Sequence, residues 1–259
     1  MSKLSIITIN FNNLDGLKRT VESIINQTWQ EFEYIIIDGG STDGSVAYIE
    51  SKSDKIDYWI NEKDTGVYNA MNKGVIKAKG EYLLFLNSGD HFYNNDVLQK
   101  CNKFLVEKDL IYFNLNIVDQ TASWIRTYTD NLFFSYLAKD TLPHPATFIK
   151  KILFHKVGLF DENLKIVSDW KFFIQSICKF NSSYIRIDQT LSTFYLDGLS
   201  SDPKNQKIIF DEKQLVLESE FSAFLNDLDE SNKQKQLISN LKKSKKIQLL
   251  IKLGLLNKF

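Results

Sequence analysis

The sequence predicts an α/β protein: a mostly parallel central sheet flanked by helices, with a helical extension at the C-terminal end. Three observations carry that prediction. Over the first ninety residues, short continuous apolar runs alternate with segments of helical period. The apolar runs are too uniformly hydrophobic for one-sided strands, so they suit a parallel sheet covered on both faces. From about residue 203 onward, helical patterning dominates.

The elements follow in order. "LSIITINF", residues 4–11, is a β-branched apolar run that stops at Asn12 and Asn13. Residues 14–28 then place Leu14, Leu17, Val21, Ile24 and Ile25 on one helical face. "FEYIIIDGGSTDGS", residues 32–45, is a second buried strand that breaks into a loop of Gly, Ser and Asp. A helix over 45–53, a strand over 56–62 and a helix over 66–80 ended by Gly80 come next. "EYLLFLNSGD", residues 81–90, is a fourth strand that presents Asn87, Ser88 and Asp90 at its tip. Beyond it the pattern predicts a helix over 96–108 and short strands near 110–118 and 123–129. A helix opening at Ser168 and a strand pair over 184–187 and 190–196 follow, with no repeat and no low-complexity linker.

Bulk properties narrow the function classes. A chain of 259 residues can bury one substantial core. Its formal net charge is zero, which argues against a nucleic-acid partner held by broad phosphate neutralisation. Cys101 and Cys178 lack metal-ligand spacing and read as buried thiols of a reducing compartment. The N-terminus turns polar too soon for a signal peptide, and no run approaches the ~18 apolar residues of a membrane span. The expected location is therefore cytoplasmic.

The tail adds a qualification. After residue 231 there is no acidic residue but there are eight lysines. "KKSKKIQLLIKLGLLNKF" suits a helix lying on an anionic membrane, and packing on its own domain or on a partner subunit is the alternative. Its polar stripe, Lys245, Gln248 and Lys252, is narrow.

In an open parallel sheet, ligands bind beyond the carboxyl ends of the strands. "NFNN", "DGGSTDG" and "NSGD" all fall there. Any one could be an ordinary turn, but three on one rim make a crevice. Neither G-x-G-x-x-G after the first strand nor a P-loop is present, so the usual phosphate cradles are missing. Acidic loops can hold a diphosphate only through a hard cation, Mn²⁺ or Mg²⁺, for which Asp90 is the natural ligand. Nucleotide sugars present such a diphosphate as leaving group.

The succession "SIITINFNN", "YIIIDGGSTDGS", "EKDTGVYNAMNKGVIKAKGEYLLFLNSGD" and "GLFDENLKIVSDWKFF" resembles the family 2 glycosyltransferases of the GT-A, Rossmann-like fold. The likeness covers about residues 3–200 and is nearest to the branch, of colanic-acid type, that builds bacterial surface polysaccharides such as capsule and lipopolysaccharide. It implies a GT-A domain over 1–200, with a nucleotide-binding part over about 1–95 and an acceptor-side part over about 96–200. A helical extension with the basic, apolar tail fills 201–259. The implied reaction is inverting transfer of a hexosyl or N-acetylhexosaminyl group from a UDP-sugar to a hydroxyl of a glycan or lipid-linked glycan.

Residue by residue, the resemblance puts Phe11 on the nucleotide base, with Asn10 and Asn12 shaping its turn. Asp38 is implied as a contact to uracil or ribose, its alternative role being an Asx-turn acceptor. Asp64, Asn72 and Lys73 are implied along the donor, Lys73 offsetting diphosphate charge unless it is merely solvated. Asn87 and Ser88 line ribose or phosphate. Asp90 holds the metal, although Asn87 and Gly89 stand where the family often carries further acids, which puts metal affinity in doubt. Asp169 falls at the position of the catalytic base. Ser168 is expected to cap its helix, and Trp170 to offer a stacking face to a sugar. His144 is an acceptor-side contact or a plain turn residue between Pro143 and Pro145. Asp43 is expected to cap the helix after it. "YLDGLSS", residues 195–201, suits a loop closing on the nucleotide. A catalytically inactive nucleotide-sugar binder or assembly scaffold is the alternative. A sugar nucleotidyltransferase would need a basic, Gly-rich N-terminal loop that is missing.

Overall fold

The computed structural model describes residues 3–106 and 108–257. They form two compact units, divided between Lys213 and Gln214. In the first, β1 (Leu4–Asn10), α1 (Leu14–Ile25), β2 (Phe32–Asp38), α2 (Ser45–Ser51), β3 (Tyr58–Asn61), α3 (Val67–Lys77) and β4 (Tyr82–Phe85) realise the expected alternation. After β5 (His91–Phe92) and α4 (Val97–Cys101) come β6 (Leu110–Val118), β7 (Ser123–Arg126) and α5 (Phe134–Leu137). Then follow β8 (Thr147–Lys150), α6 (Leu153–Lys156), α7 (Ser168–Cys178), β9 (Tyr184–Tyr195) and α8 (Gln206–Glu220).

The sheet order is β3-β2-β1-β4-β8-β6-β9-β5, with β7 paired to β6. The first four strands are parallel. β8 runs antiparallel to both β4 and β6, and β9 runs parallel to β6. Every residue of β1 and β4 is buried, as strands covered on both faces require. The register sets Asn10 opposite Asp38 and Asp38 opposite Asn61, so the polar ends of three strands lie level on one edge.

Several elements differ from the sequence expectation. The predicted strand pair over 184–196 is one strand, β9, whose register against β6 shifts around Asn114. Asp188 and Gln189, which resemble a turn in sequence, are absorbed there as a bulge. The helix expected over 96–108 is only α4 plus a 3₁₀ turn, Asn102–Phe104. β5 and β8 were not expected, because two- and four-residue strands are too short to show a period.

An aromatic cluster joins the end of β4 to α6, Phe160 and α7. Phe85, at the end of β4, lies 5.4 Å from Phe160, centroid to centroid, and 6.4 Å from Phe154. Phe172 of α7 stacks on Phe154 at 4.5 Å and meets Phe160 at 5.4 Å. Each buried ring contributes about 1.5–3 kcal/mol by leaving water, and each pair adds about 0.5–1.5 kcal/mol. The turn after β4 and the start of α7 are thus braced through one apolar core.

The second unit contains α9 (Ser222–Lys243) and α10 (Lys245–Lys252), neither of which has a buried residue. Leu249, Leu253, Leu255 and Leu256 are exposed there, beside the lysines of 242–252. Among the described residues, no helix is long and apolar enough to cross a membrane.

Candidate active site

The three polar loops meet by direct hydrogen bonds. Asn10 Nδ2 donates to Asp38 Oδ2 at 2.7 Å and to the Ser41 hydroxyl at 3.2 Å. Asn12, held at φ +47°, accepts from Thr42 N–H at 2.8 Å. Asn13 Nδ2 donates to Ser88 O, and Ser88 Oγ donates back to Asn13 O. Asp43 accepts from Ser45 at the start of α2 and from Leu14 N–H at the start of α1, tying two helix ends together. These loops form one rim because the parallel register brings their strands to the same height.

Phe11 projects from that rim with 66% of its surface exposed. Behind it, Gly39 leaves no room for a side chain: a Cβ would lie 2.9 Å from Asp64 Oδ2 and 3.3 Å from the Phe11 ring. Phe11, Gly39 and Asp64 therefore converge on one spot. Asp64 is gripped by Lys73 at 2.5 Å, and Lys73 also pairs with Glu62 at 2.8 Å. Burial pulls the Lys73 pKa down, but the two carboxylates more than reverse that and hold it above its ordinary value. In this structure the Lys73 charge is matched by these two acids.

Asp38 is fully buried, and all its acceptor capacity serves the loop. Oδ1 accepts from Ser41 N–H at 2.8 Å and Gly40 N–H at 3.2 Å, while Oδ2 accepts from Asn10 and the Ser41 hydroxyl. This is the Asx-turn role that the sequence offered as the alternative to a contact with uracil or ribose. Asn72 is likewise engaged by the scaffold. Its amide bonds to Phe160 N–H, Phe160 O and Glu162, which latches α3 to the 160–162 turn.

The turn after β4 is clamped from below. The Thr20 hydroxyl of α1 lies 2.6 Å from Asp90 O and accepts from Gly89 N–H at 3.0 Å. Gly89 sits at φ +112°, a conformation that other residues adopt only under strain. Asp90 is 7% exposed, and among the described residues nothing donates a hydrogen bond to its carboxylate. Burial pushes its pKa up to about 7; His144 and Arg19 counter that, and Asp197 reinforces it. In the same turn, Asn87 Oδ1 is buried without a partner. Two unpartnered oxygens in one turn fit a cation. No three His, Cys, Asp or Glu residues among those described are grouped to hold a metal unaided. The donor set fits an ion that takes its remaining ligands from phosphate and water.

Asp169 occupies the first turn of α7, where the helix dipole favours a carboxylate. Tyr68 Oη donates to its Oδ1 at 2.9 Å, and His144 Nδ1 donates to its Oδ2 at 3.2 Å. Burial alone would raise the Asp169 pKa, but His144 and Tyr68 hold it below the ordinary carboxylate value. For His144, burial pulls downward; Asp169, with help from Asp90, holds its pKa above the ordinary imidazole value. The other imidazole nitrogen, Nε2, lies 3.3 Å from Asn87 Nδ2. His144 is therefore no plain turn residue: it touches both the turn after β4 and Asp169.

The neighbours of Asp169 depart from expectation. Trp170 is 2% exposed, donates to Leu137 O at 2.6 Å and carries Lys213 over its ring, so it offers no face to a sugar. Ser168 does not cap α7, because Val167 takes the cap position and the Ser168 hydroxyl is buried without a partner. The segment leading there is pinned instead by Glu212, which accepts from Lys165, Ile166 and Val167 N–H groups.

Tyr68, Arg19, Asp197 and Glu212 escaped the sequence reading. Tyr68 shares a helix face with Met71, Asn72 and Val75, a signal of burial that gave no hint of its hydroxyl's partner. Arg19 stacks on Tyr195 at 4.0 Å, a contact invisible in sequence. Beside Tyr68, a cavity of about 280 Å³ opens between Val67, Leu164, Ile166, Leu199 and Ile208.

Comparison with known proteins agrees with this architecture. The profile described as "Glycosyl transferase family 2" matches residues 5–160. An uncharacterized glycosyltransferase of Mycobacterium tuberculosis H37Rv is 36% identical over 178 residues, covering 67% of this chain and 68% of that protein. A PGL/p-HBAD biosynthesis glycosyltransferase of Mycobacterium bovis BCG is 32% identical over 178 residues, covering 66% and 68%. Among solved structures, S. aureus TarS 1–349 in complex with UDP aligns with a TM-score of 0.61 at 20% identity, covering 74% of this chain and 60% of that one. The mannosyltransferase PcManGT of Pyrobaculum calidifontis, in complex with GDP-Man and Mn²⁺, aligns with a TM-score of 0.57 at 13% identity, covering 77% and 58%. These likenesses bear out the GT-A fold. On the matching profile and these relatives, the chain belongs to glycosyl transferase family 2.

Proposed function

We propose that the protein is an inverting glycosyltransferase that moves a hexosyl or N-acetylhexosaminyl group from a UDP-sugar to a hydroxyl of a glycan or lipid-linked glycan, in bacterial surface-polysaccharide synthesis. One observation carries this: the turn presenting Asp90 and the carboxylate of Asp169 stand at opposite ends of the same imidazole, His144. A leaving-group seat and a base are thereby brought to one site from different elements. The neighbouring complexes with UDP and UDP-GlcNAc support a UDP donor.

On this reading Phe11 stacks on the base, Asp64 borders it, and Asn87, Ser88 and Asp90 face the diphosphate. Asp90, with Asn87 beside it, would hold Mn²⁺ or Mg²⁺, and the ion when bound supplies charge neutralisation to the departing diphosphate. Asp169 accepts the proton of the acceptor hydroxyl as that oxygen bonds the anomeric carbon. The bond from that carbon to the phosphate oxygen breaks on the opposite face, and its electron pair leaves with UDP. A base so placed contributes about 10²–10⁴-fold. Asp169→Asn should therefore keep UDP binding, read by thermal shift, while transfer collapses. Turnover equal to the parent would remove Asp169 from the role.

A second reading, an inactive nucleotide-sugar binder, draws on the single carboxylate in residues 87–90. Release of UDP from a panel of UDP-sugars with Mn²⁺ separates the two. A silent panel with binding intact favours the binder.

The lysines and exposed leucines of 242–256 support a peripheral contact with an anionic membrane face, each nearby lysine contributing about 1 kcal/mol. Co-sedimentation with phosphatidylglycerol vesicles, but not phosphatidylcholine vesicles, is expected. Equal behaviour with both would dismiss the contact.

A further inference from the structure

We propose that His144 and Tyr68 are positioning residues: together they lock the direction of the Asp169 carboxylate, and His144 ties that direction to the turn that faces the leaving group. The inference rests on the assignment of Asp169 as base.

Each oxygen of Asp169 has its own donor. Tyr68 Oη lies 2.9 Å from Oδ1 and 2.5 Å from Ile166 O, so its one proton is shared between the carboxylate and the chain segment that leads into α7. His144 Nδ1 holds Oδ2 at 3.2 Å. With both oxygens bonded, rotation of the carboxylate about its own axis is blocked, and each oxygen keeps a lone pair for the acceptor proton. The three groups come from α3, the turn before β8 and α7, and the Tyr68–Phe160 and Phe160–Phe172 ring contacts join α3 to α7. A carboxylate free to turn would meet the acceptor hydroxyl in few of its orientations. Misplacement by about 1 Å costs roughly 100-fold in rate.

The imidazole adds a second link. Its Nε2 side meets the Asn87 amide, whose Oδ1 has no other partner. The same ring thus sets the base at one end and the donor turn at the other. Any shift of residues 87–90 on donor binding moves the ring that aims Asp169.

The geometry allows the two bonds of His144 to be cut separately. An Asn side chain reproduces the Nδ1–H donor but not Nε2, and a Gln side chain reproduces the Nε2 end but not Nδ1. The assay is UDP release from UDP-GlcNAc, UDP-glucose and UDP-galactose with Mn²⁺, water serving as acceptor. Tyr68→Phe and His144→Gln should lower kcat about 10- to 100-fold with donor KM and Tm near the parent's, while His144→Asn, which keeps the bond to Asp169 and loses the one to Asn87, should lose less kcat and raise donor KM. Equal rates for Gln, Asn and the parent, or losses that appear only in KM or track Tm, overturn the proposal.

A second arm needs no turnover. The chain has only three histidines, His91, His144 and His155, so ¹⁵N NMR can follow each ring. A hydrogen-bonded Nδ1–H signal of His144 should be present in the parent and lost in Asp169→Ala. Its absence in the parent, or persistence in the variant, overturns the proposal. An active Asp169→Asn enzyme would instead overturn the base assignment, a distinct outcome.

Discussion

Asp38 closes β2 and Asp90 lies in the turn after β4, on the same rim, and both are buried, yet their surroundings are opposite. Asp38 accepts four hydrogen bonds from Asn10, Gly40 and Ser41. Asp90 accepts none among the described residues, and its pKa is pushed to about 7 by burial. A buried carboxylate whose lone pairs are all filled is part of the scaffold. One whose lone pairs are empty carries a desolvation cost that only a proton or a cation relieves. The contrast separates turn chemistry from site chemistry where the sequence shows two similar Gly- and Asp-containing loops.

The sharpest break of that contrast is to remove Asp38. Asp38→Ala strands buried donors on Asn10, Gly40 and Ser41, and should cost about 3–4 kcal/mol in denaturant unfolding. A loss below about 1 kcal/mol would make Asp38 dispensable to the turn and restore it as a ligand contact. Asp90→Ala should be the mirror image. Its unfolding free energy should stay within about 1 kcal/mol of the parent's, while the extra Tm that Mn²⁺ adds in the presence of UDP disappears. Retention of that increment would move the metal away from Asp90.

The base side sharpens the comparison through pH. Asp169 is lowered by its partners, so its contribution to stability exists above the unfolded carboxylate value and is lost only in strong acid. His144 is raised, so its contribution exists below the unfolded imidazole value and fades as pH rises through the higher folded value. The pair therefore stabilises most between about pH 4 and 6.5. The Tm gap between parent and Asp169→Asn should be wider at pH 5.5 than at pH 9. A gap that is flat or reversed would mean the pair is not ionised as described. The smallest effect is expected at Gly89, where alanine must adopt φ +112°. A cost of about 1 kcal/mol and a weaker Mn²⁺ increment should follow, and an unchanged turn would show that its backbone is not under this constraint.

Much of the architecture was legible because it rests on local signals. The uniformly apolar β1, β2 and β4 and the amphipathic α1 and α3 follow from periodicity, and their ends from Gly, Asn and Asp. Phe11 was singled out by the resemblance to a known family, and the structure exposes it. How Asn72, Lys73 and Trp170 are engaged was not legible. Each is a plausible ligand contact by residue type, and each is taken by a partner 9 to 90 residues away in the chain. Ser168 illustrates the same limit at short range, since a serine at a helix start caps only if the backbone turns one residue later.

By itself the sequence determined the strand–helix alternation, the three polar loops and the two aspartates on which the proposed chemistry depends. The alternation and the loops follow from side-chain period and turn preference, which act over a few residues, whereas Asp169 was marked by the resemblance to a known family. The tertiary structure alone decided which carboxylates are scaffold and which are free. It also decided that a phenol on α3 and an imidazole before β8 converge on Asp169. Hydrogen-bond satisfaction and desolvation depend on groups brought together from distant parts of the chain, and no local pattern encodes where those groups meet.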